Sequence, residues 1–377
     1  MRSTFTRDIS ENLLKELKEG AFKPFVDFAR KKGDLALCFR GNGKKEAVTI
    51  YRNNHIMWNL TFNGRKPEVS ISLDHARFMS DWASRIVPSF LEMGFIKKSK
   101  DNGCLAVRSK DNEYHAIEIV YRPGEDSKKD EDVVKKSYEL LVEMQKSYFS
   151  KVKRQINYIK KYYFDTNADA KIMDENHSFY AKPQPCTEKH AQQELFMMNH
   201  TQKNGLFIYD LEFMQPEIKE ISLKNANKPD MFGIRYNSDG KPTAICLIEV
   251  KSTVSALSGK CGLEEHLKGM EQYLKLHYRS ADGNKKLIDD RKKEAYRILK
   301  QYEEIGFYDV HLKESEEDFL KLNVEIMFIF TNGIHMNKKN LQKNLTVRQA
   351  LNDYEEYSLV KYGEECKHVD ALKKEYT

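Results

Sequence analysis

Two apolar runs joined by a polar four-residue turn set the tightest limit on how this chain folds. Met231-Phe232-Gly233-Ile234-Arg235-Tyr236 leads into Asn237-Ser238-Asp239-Gly240, and Ala244-Ile245-Cys246-Leu247-Ile248 follows. Apolar runs meeting at an Asp-Gly turn predict a β-hairpin. Side chains alternate across a strand, so Glu249 and Lys251 at the end of the second run share one face and Val250 takes the other. Pro229-Asp230 stands just before the first run, which brings Asp230 towards that pair when the hairpin closes. Two carboxylates and an amine on one sheet face suit a hard cation and an activated water.

The flanking sequence extends the pattern. Glu188-Lys189-His190-Ala191-Gln192-Gln193-Glu194-Leu195-Phe196 reads as an acidic helix, and Gly205 to Asp210 as a strand. After Lys251, Leu263 to Leu274 reads as a helix and Val324 to Phe330 as a buried strand. Pro229-Asp230, an 18-residue spacer and Glu249-Val250-Lys251, in the order helix, strands, helix, strand, resemble the PD-(D/E)XK nuclease superfamily. The resemblance covers roughly the C-terminal half of the chain. It implies a restriction-endonuclease-like mixed-sheet core flanked by helices, and a metal-dependent nuclease that hydrolyses phosphodiester bonds. DNA is the first expected substrate, with RNA left open, in a bacterial defence, mobile-element or repair setting. Two copies paired as a homodimer would cut both strands.

The resemblance also assigns roles. Asp230, Glu249, Lys251 and Glu194 are the expected catalytic set, and Mg²⁺ or Mn²⁺ would be held by Asp230, Glu249, the carbonyl of Val250 and Glu194. Lys251 would orient or deprotonate the attacking water, or offset charge on the phosphate. Glu194 is preferred to Glu188 because Leu195 and Phe196 flank it, whereas a carboxylate at a helix start is explained by the dipole. Gln272 and Tyr273 are candidates for a supporting pair, at a spacing that departs from the family's, and Asp210 and Glu212 for a further ligand. Taken singly these residues have ordinary explanations: Asp is common in turns after proline, and Glu249 and Lys251 make an ion pair at a strand end. Their occurrence together favours catalysis over the alternative, a nuclease-like fold kept for binding nucleic acid or assembling a complex. His190 and His266 have no partners at metal-ligand spacing and read as surface residues.

The N-terminal half reads as an antiparallel α+β domain over residues 1–165, and residues 166–377 as the nuclease-like domain. A helical stripe runs from Glu11 to Lys32, followed by β-like runs Asp34 to Arg40, Glu46 to Arg52 and His55 to Phe62. Helical spacing resumes from Asp74 to Phe95 with Pro88 inside it, and strands Cys104 to Arg108 and Tyr114 to Tyr121 complete the unit. A long helix is expected from Val133 to Phe164, where lysines alternate with tyrosines on a stripe that suits a core better than a strand of nucleic acid. The tail after Asn332 reads as helical.

A formal net charge of +6 over 377 residues permits a nucleic-acid partner without demanding one. The six cysteines show no C-x-x-C pair, which removes zinc spacing and leaves Cys246 as a small core residue. No apolar run approaches the ~20 residues that span a bilayer, so the expected setting is cytoplasmic with no membrane partner.

Overall fold

The computed structural model describes residues 7–41, 46–52, 55–62, 66–74, 80–97, 104–109, 112–124, 128–143, 192, 195–196, 199–200, 202, 205–211, 229–251, 263–280, 283–330, 358–361 and 370–376. They fall into two compact units of a mixed α and β chain, one built on an antiparallel sheet and the other on a mixed sheet, each with helices. The first unit takes its residues from Ser10–Leu37 and Lys45–Gln184, the second from Met1–Ile9, Cys38–Lys44 and Pro185–Thr377.

In the first unit the expected N-terminal helix is two helices, α1 (Glu11–Lys18) and α2 (Lys23–Lys32). Ser10 caps α1 by accepting from the Leu13 N–H, and Pro24 near the start of α2 occupies a position whose N–H has no helical partner to lose. Strands β1 (Ala36–Arg40), whose residues from Cys38 onward are counted with the second unit, β2 (Ala47–Arg52), β3 (His55–Phe62) and β4 (Pro67–Asp74) come next. Helix α3 (Ser80–Glu92), β5 (Ile96–Lys97), β6 (Cys104–Ser109) and β7 (Asn112–Tyr121) follow. The sheet runs β1-β2-β3-β4-β7-β5, with β6 also paired to β7. Strand β4 is one that the sequence reading misses, and α3 starts six residues later than the expected Asp74. Helix α4 is helical over 128–143, starting before the expected Val133, and residues 144–164, expected to continue it, lie outside the described residues. Trp58 on β3 is sealed from solvent among Phe25, Phe28 and Tyr138, and its indole N–H donates to Ser137 Oγ at 3.1 Å. It is a core residue, as the packed-meander reading has it.

The second unit is built around the predicted hairpin. Strands β8 (Leu206–Leu211), β9 (Met231–Tyr236) and β10 (Pro242–Lys251) form an antiparallel meander. Asn237 Oδ1 accepts the N–H groups of Asp239 and Lys241, and Gly240 takes the left-handed conformation that closes the turn (φ 72°). Beyond β10 come α5 (Leu263–Lys275), the hairpin β11 (His277–Ser280) and β12 (Gly283–Lys286), and α6 (Leu287–Ile305). A short helix, α7 (Glu316–Leu320), begins with a Ser315–Asp318 capping box. Strand β13 (Asn323–Phe330) returns parallel to β10, pairing Ala244 with Asn323 through Lys251 with Phe330. Within the tail expected to be helical, the described residues are strands, β14 (Ser358–Lys361) and β15 (Asp370–Tyr376), which complete the order β14-β15-β13-β10-β9-β8; the rest of the tail lies outside the described residues. Their Lys and Glu content misled the helical reading, because pairing with a neighbouring strand overrides intrinsic propensity.

Strand β10 lies between β9 and β13 and is buried along almost its whole length. Its continuous apolar run is what a strand covered on both faces requires. Gly233 on β9 makes this close packing possible: a Cβ there would meet Leu206 Cδ1 and the Phe207 carbonyl at 3.1 Å and Ile248 Cδ1 at 3.2 Å. Gly233→Val should therefore cost about 1–3 kcal/mol by overpacking, read as a lower urea midpoint at unchanged slope. An unchanged midpoint would show that β8 and β10 yield at this point.

Candidate functional site

The register of the hairpin fixes where the candidate residues stand. Met231, the first residue of β9, pairs with Ile248, so Glu249, Val250 and Lys251 run on past the start of the neighbouring strand. Asp230 fills that space: its Oδ2 accepts the Val250 N–H at 2.7 Å. The N–H and C=O of one strand residue point to the same side, so the Val250 carbonyl leaves β10 on the edge where Asp230 sits. Across β10, Glu249 and Lys251 are opposite Phe328 and Phe330 of β13.

Glu249 and Lys251 are 2% and 3% exposed, and Lys251 Nζ donates to Glu249 Oε1 at 2.7 Å. Two buried charges on one strand face are costly to desolvate, and each is tolerable only because the other is present. His266 on α5 approaches the same oxygen, its Nδ1 2.8 Å from Glu249 Oε1, but off the line that a hydrogen bond needs. The second oxygen, Glu249 Oε2, is buried with no hydrogen-bond partner among the described residues.

An unpartnered carboxylate oxygen, a second carboxylate and a main-chain carbonyl are oxygen donors of the kind Mg²⁺ and Mn²⁺ take. Mg²⁺ needs only one or two carboxylates, since water or substrate completes its shell, so the residues present fit such an ion. Among the described residues no three His, Cys, Asp or Glu side chains are gathered at ligand distance.

Glu194, Glu188 and Glu212 lie outside the described residues; Gln192, Leu195 and Phe196 around the first are helical and buried. Asp210 is buried between two arginines, with Arg7 Nε at 3.1 Å and Arg40 Nη1 at 2.8 Å, and is thereby engaged in charge pairing. Gln272 is exposed, whereas Tyr273 is fully buried with its ring 6.5 Å from Phe232. Neighbours on a helix do not share a face, so the two do not act as a pair. Burial pushes the Tyr273 hydroxyl well above its ordinary pKa, and it has no hydrogen-bond partner among the described residues.

His266 is the residue that the sequence reading sets aside as a surface histidine. Its signal is its spacing on α5: His266, Met270 and Tyr273 recur at four and three residues, one inward stripe. A groove of about 1190 Å³ in the first unit, walled by acidic and basic side chains such as Asp27, Lys31, Asp130 and Lys135, contains none of the candidate residues.

Near Asp210 lies a second buried network. Glu294 on α6 accepts from the Arg7 N–H and from Arg291 Nη1. Burial pushes its carboxyl up to about 7, against the opposing pull of Arg291 and of the Arg7 N–H.

Comparison of the chain with protein-family models, with curated proteins and with solved structures finds no match. No helix among the described residues is long and apolar enough to cross a membrane.

Two outcomes follow from these buried charges. Lys251→Met leaves Glu249 buried without its ammonium and should lower stability by about 3–5 kcal/mol. The double variant Glu249→Gln, Lys251→Met should recover at least half of that in urea unfolding, and strictly additive losses would show that the pair does not interact. For Glu294, ionisation near 4.5 in the unfolded chain and near 7 in the folded one means that the folded state holds the extra proton between those values. Stability should therefore fall as pH rises from about 4.5 to about 7. Glu294→Gln should remove that slope, and a wild-type slope retained in the variant would place the titrating group elsewhere.

Proposed function

We propose that this chain is a metal-dependent nuclease of the restriction-endonuclease-like fold, with its centre at Asp230, Glu249 and Lys251 and DNA as its first substrate. One observation carries the reading: the central strand ends in a buried Glu249–Lys251 pair, with Asp230 bonded to the peptide between them. The mixed sheet adds support, since a three-strand antiparallel meander, a helix and a parallel returning strand follow one another in the expected order.

Asp230, Glu249 and the Val250 carbonyl would hold Mg²⁺ or Mn²⁺. The bound ion would supply positive charge for the phosphate and lower the pKa of a coordinated water. The Asp230–Val250 hydrogen bond keeps the Asp230 carboxylate against the end of β10. Lys251 Nζ, held at 2.7 Å from Glu249 Oε1, stands where it can orient a water or meet a phosphate oxygen. Burial matters to this chemistry, because charges act more strongly on one another where water is excluded.

The test is nicking of supercoiled plasmid in Mg²⁺ or Mn²⁺, beside a single-stranded DNA and an RNA substrate. Asp230→Ala and Lys251→Ala should each reduce the rate by at least about 100-fold, with EDTA abolishing it. Cleavage that survives both substitutions would refute the site, and retention of nucleic acid without cleavage in either metal would favour the binding-only reading.

A further inference from the structure

The two nitrogens facing Glu249 Oε1 differ in kind. Lys251 Nζ makes a hydrogen bond to it, but His266 Nδ1 does not, although it lies 2.8 Å away and is itself closed off from solvent. A ring nitrogen and a carboxylate oxygen this close form an ion pair when the ring carries a second proton, and otherwise are drawn together by a common third atom. In an octahedral shell with bonds of about 2.1 Å, adjacent ligands stand about 3 Å apart. The His266–Glu249 separation has the length of such an edge without the alignment of a hydrogen bond. Glu249 Oε2, buried and unpartnered beside it, is a second donor with the same lack.

We infer that His266 is a ligand of the cation held at Glu249, and that its ring nitrogen makes the site select Mn²⁺ over Mg²⁺. The inference rests on the metal-centre reading above and deepens it. Mg²⁺ takes oxygen donors and holds its waters tightly, whereas first-row divalent ions accept imidazole readily. Oxygen donors alone would leave Mg²⁺ and Mn²⁺ closely matched, and one nitrogen breaks the tie. The fold brings the nitrogen to this place through α5, whose inward stripe of His266, Met270 and Tyr273 packs the helix on the sheet face that carries Phe232 and Glu249.

The test is calorimetric titration of the full chain with MnCl₂ and with MgCl₂, together with electron spin-echo spectroscopy of bound Mn²⁺. Wild type should bind Mn²⁺ at least about tenfold more tightly than Mg²⁺ and show modulation from a directly bonded ¹⁴N. His266→Ala should weaken Mn²⁺ by about tenfold or more, the scale on which even residues behind the ligands act, leave Mg²⁺ within about twofold, and erase the modulation. His266→Asn, which refills the space without an imidazole, should behave in the same way, so that a loss caused by misfolding is recognised by its circular dichroism. Unchanged Mn²⁺ affinity in both variants, with Glu249→Gln still abolishing binding, would overturn the role of His266 and leave the metal centre standing. Wild type that binds neither ion, or Glu249→Gln that binds both normally, would overturn the metal centre and this inference with it.

Discussion

Strand β10 is bonded to β9 on one edge and to β13 on the other and is buried along almost its whole length, and the buried charges beside it are arranged around that fact. A strand in this position has no water to turn to, so each ionised side chain near it must find its partner within the fold. On one face Glu249 meets Lys251. On the opposite face Glu325 of β13, level with Cys246, accepts from Arg235 at 2.6 Å and from the Cys246 thiol. The two faces differ in what is left over. The Glu325 pair is tied to the neighbouring strand, whereas Glu249 keeps one buried oxygen with no partner among the described residues. That asymmetry, rather than the presence of charge as such, is what the proposed metal centre rests on.

The geometry at Glu249 also sorts the roles of its neighbours. Asp230 is attached to the main chain of β10, Lys251 to one oxygen of Glu249, and His266 arrives from a separate helix without a hydrogen bond. The first two are set by strand register alone, since Ile248 pairs with Met231 and leaves the next three residues without β9 opposite them. The third depends on how α5 packs, through Tyr273 and Met270, which are fully buried. The strand residues are thus fixed by local hydrogen bonding, and the histidine by tertiary packing.

This division matches what can be read from the residues in order. The hairpin, its turn and the shared face of Glu249 and Lys251 follow from period-two alternation and from one Asn-to-Gly turn, which are local properties. Burial of Trp58 and Cys246 follows equally from apolar surroundings. His266 is not legible in this way, because its neighbour is seventeen residues distant and on another element. For Asp210, read as a possible further ligand, the sequence does not show that Arg7 and Arg40 lie against it, contacts separated by 203 and 170 residues. Strand β4 is missed although Val69, Ile71 and Leu73 alternate with Glu68, Ser70 and Ser72, since the adjoining helical spacing from Asp74 draws attention away. Strands β14 and β15 fail for a deeper reason: they are strands because β13 offers an edge, and β15 pairs with it along seven residues.

The attachments of Arg7, Asp8 and Ile9 to α6 carry a consequence for how the second unit is made. Arg7 meets Glu294, Asp8 meets Arg297, and Ile9 exchanges two hydrogen bonds with Gln301, contacts that span 287 to 292 residues of chain. On a ribosome these partners are made in widely separated moments, so Arg7, Asp8 and Ile9 are synthesised well before Glu294, Arg297 and Gln301 exist to receive them. Closing so long a loop adds little to the equilibrium cost, which grows only with the logarithm of its length, but it belongs to the slow, late part of folding. A fragment that began after residue 184 would carry Asp210 and Glu294 into the interior stripped of Arg7 and Arg40. For this chain, then, the second unit is not a segment of sequence that can be cut out and kept whole.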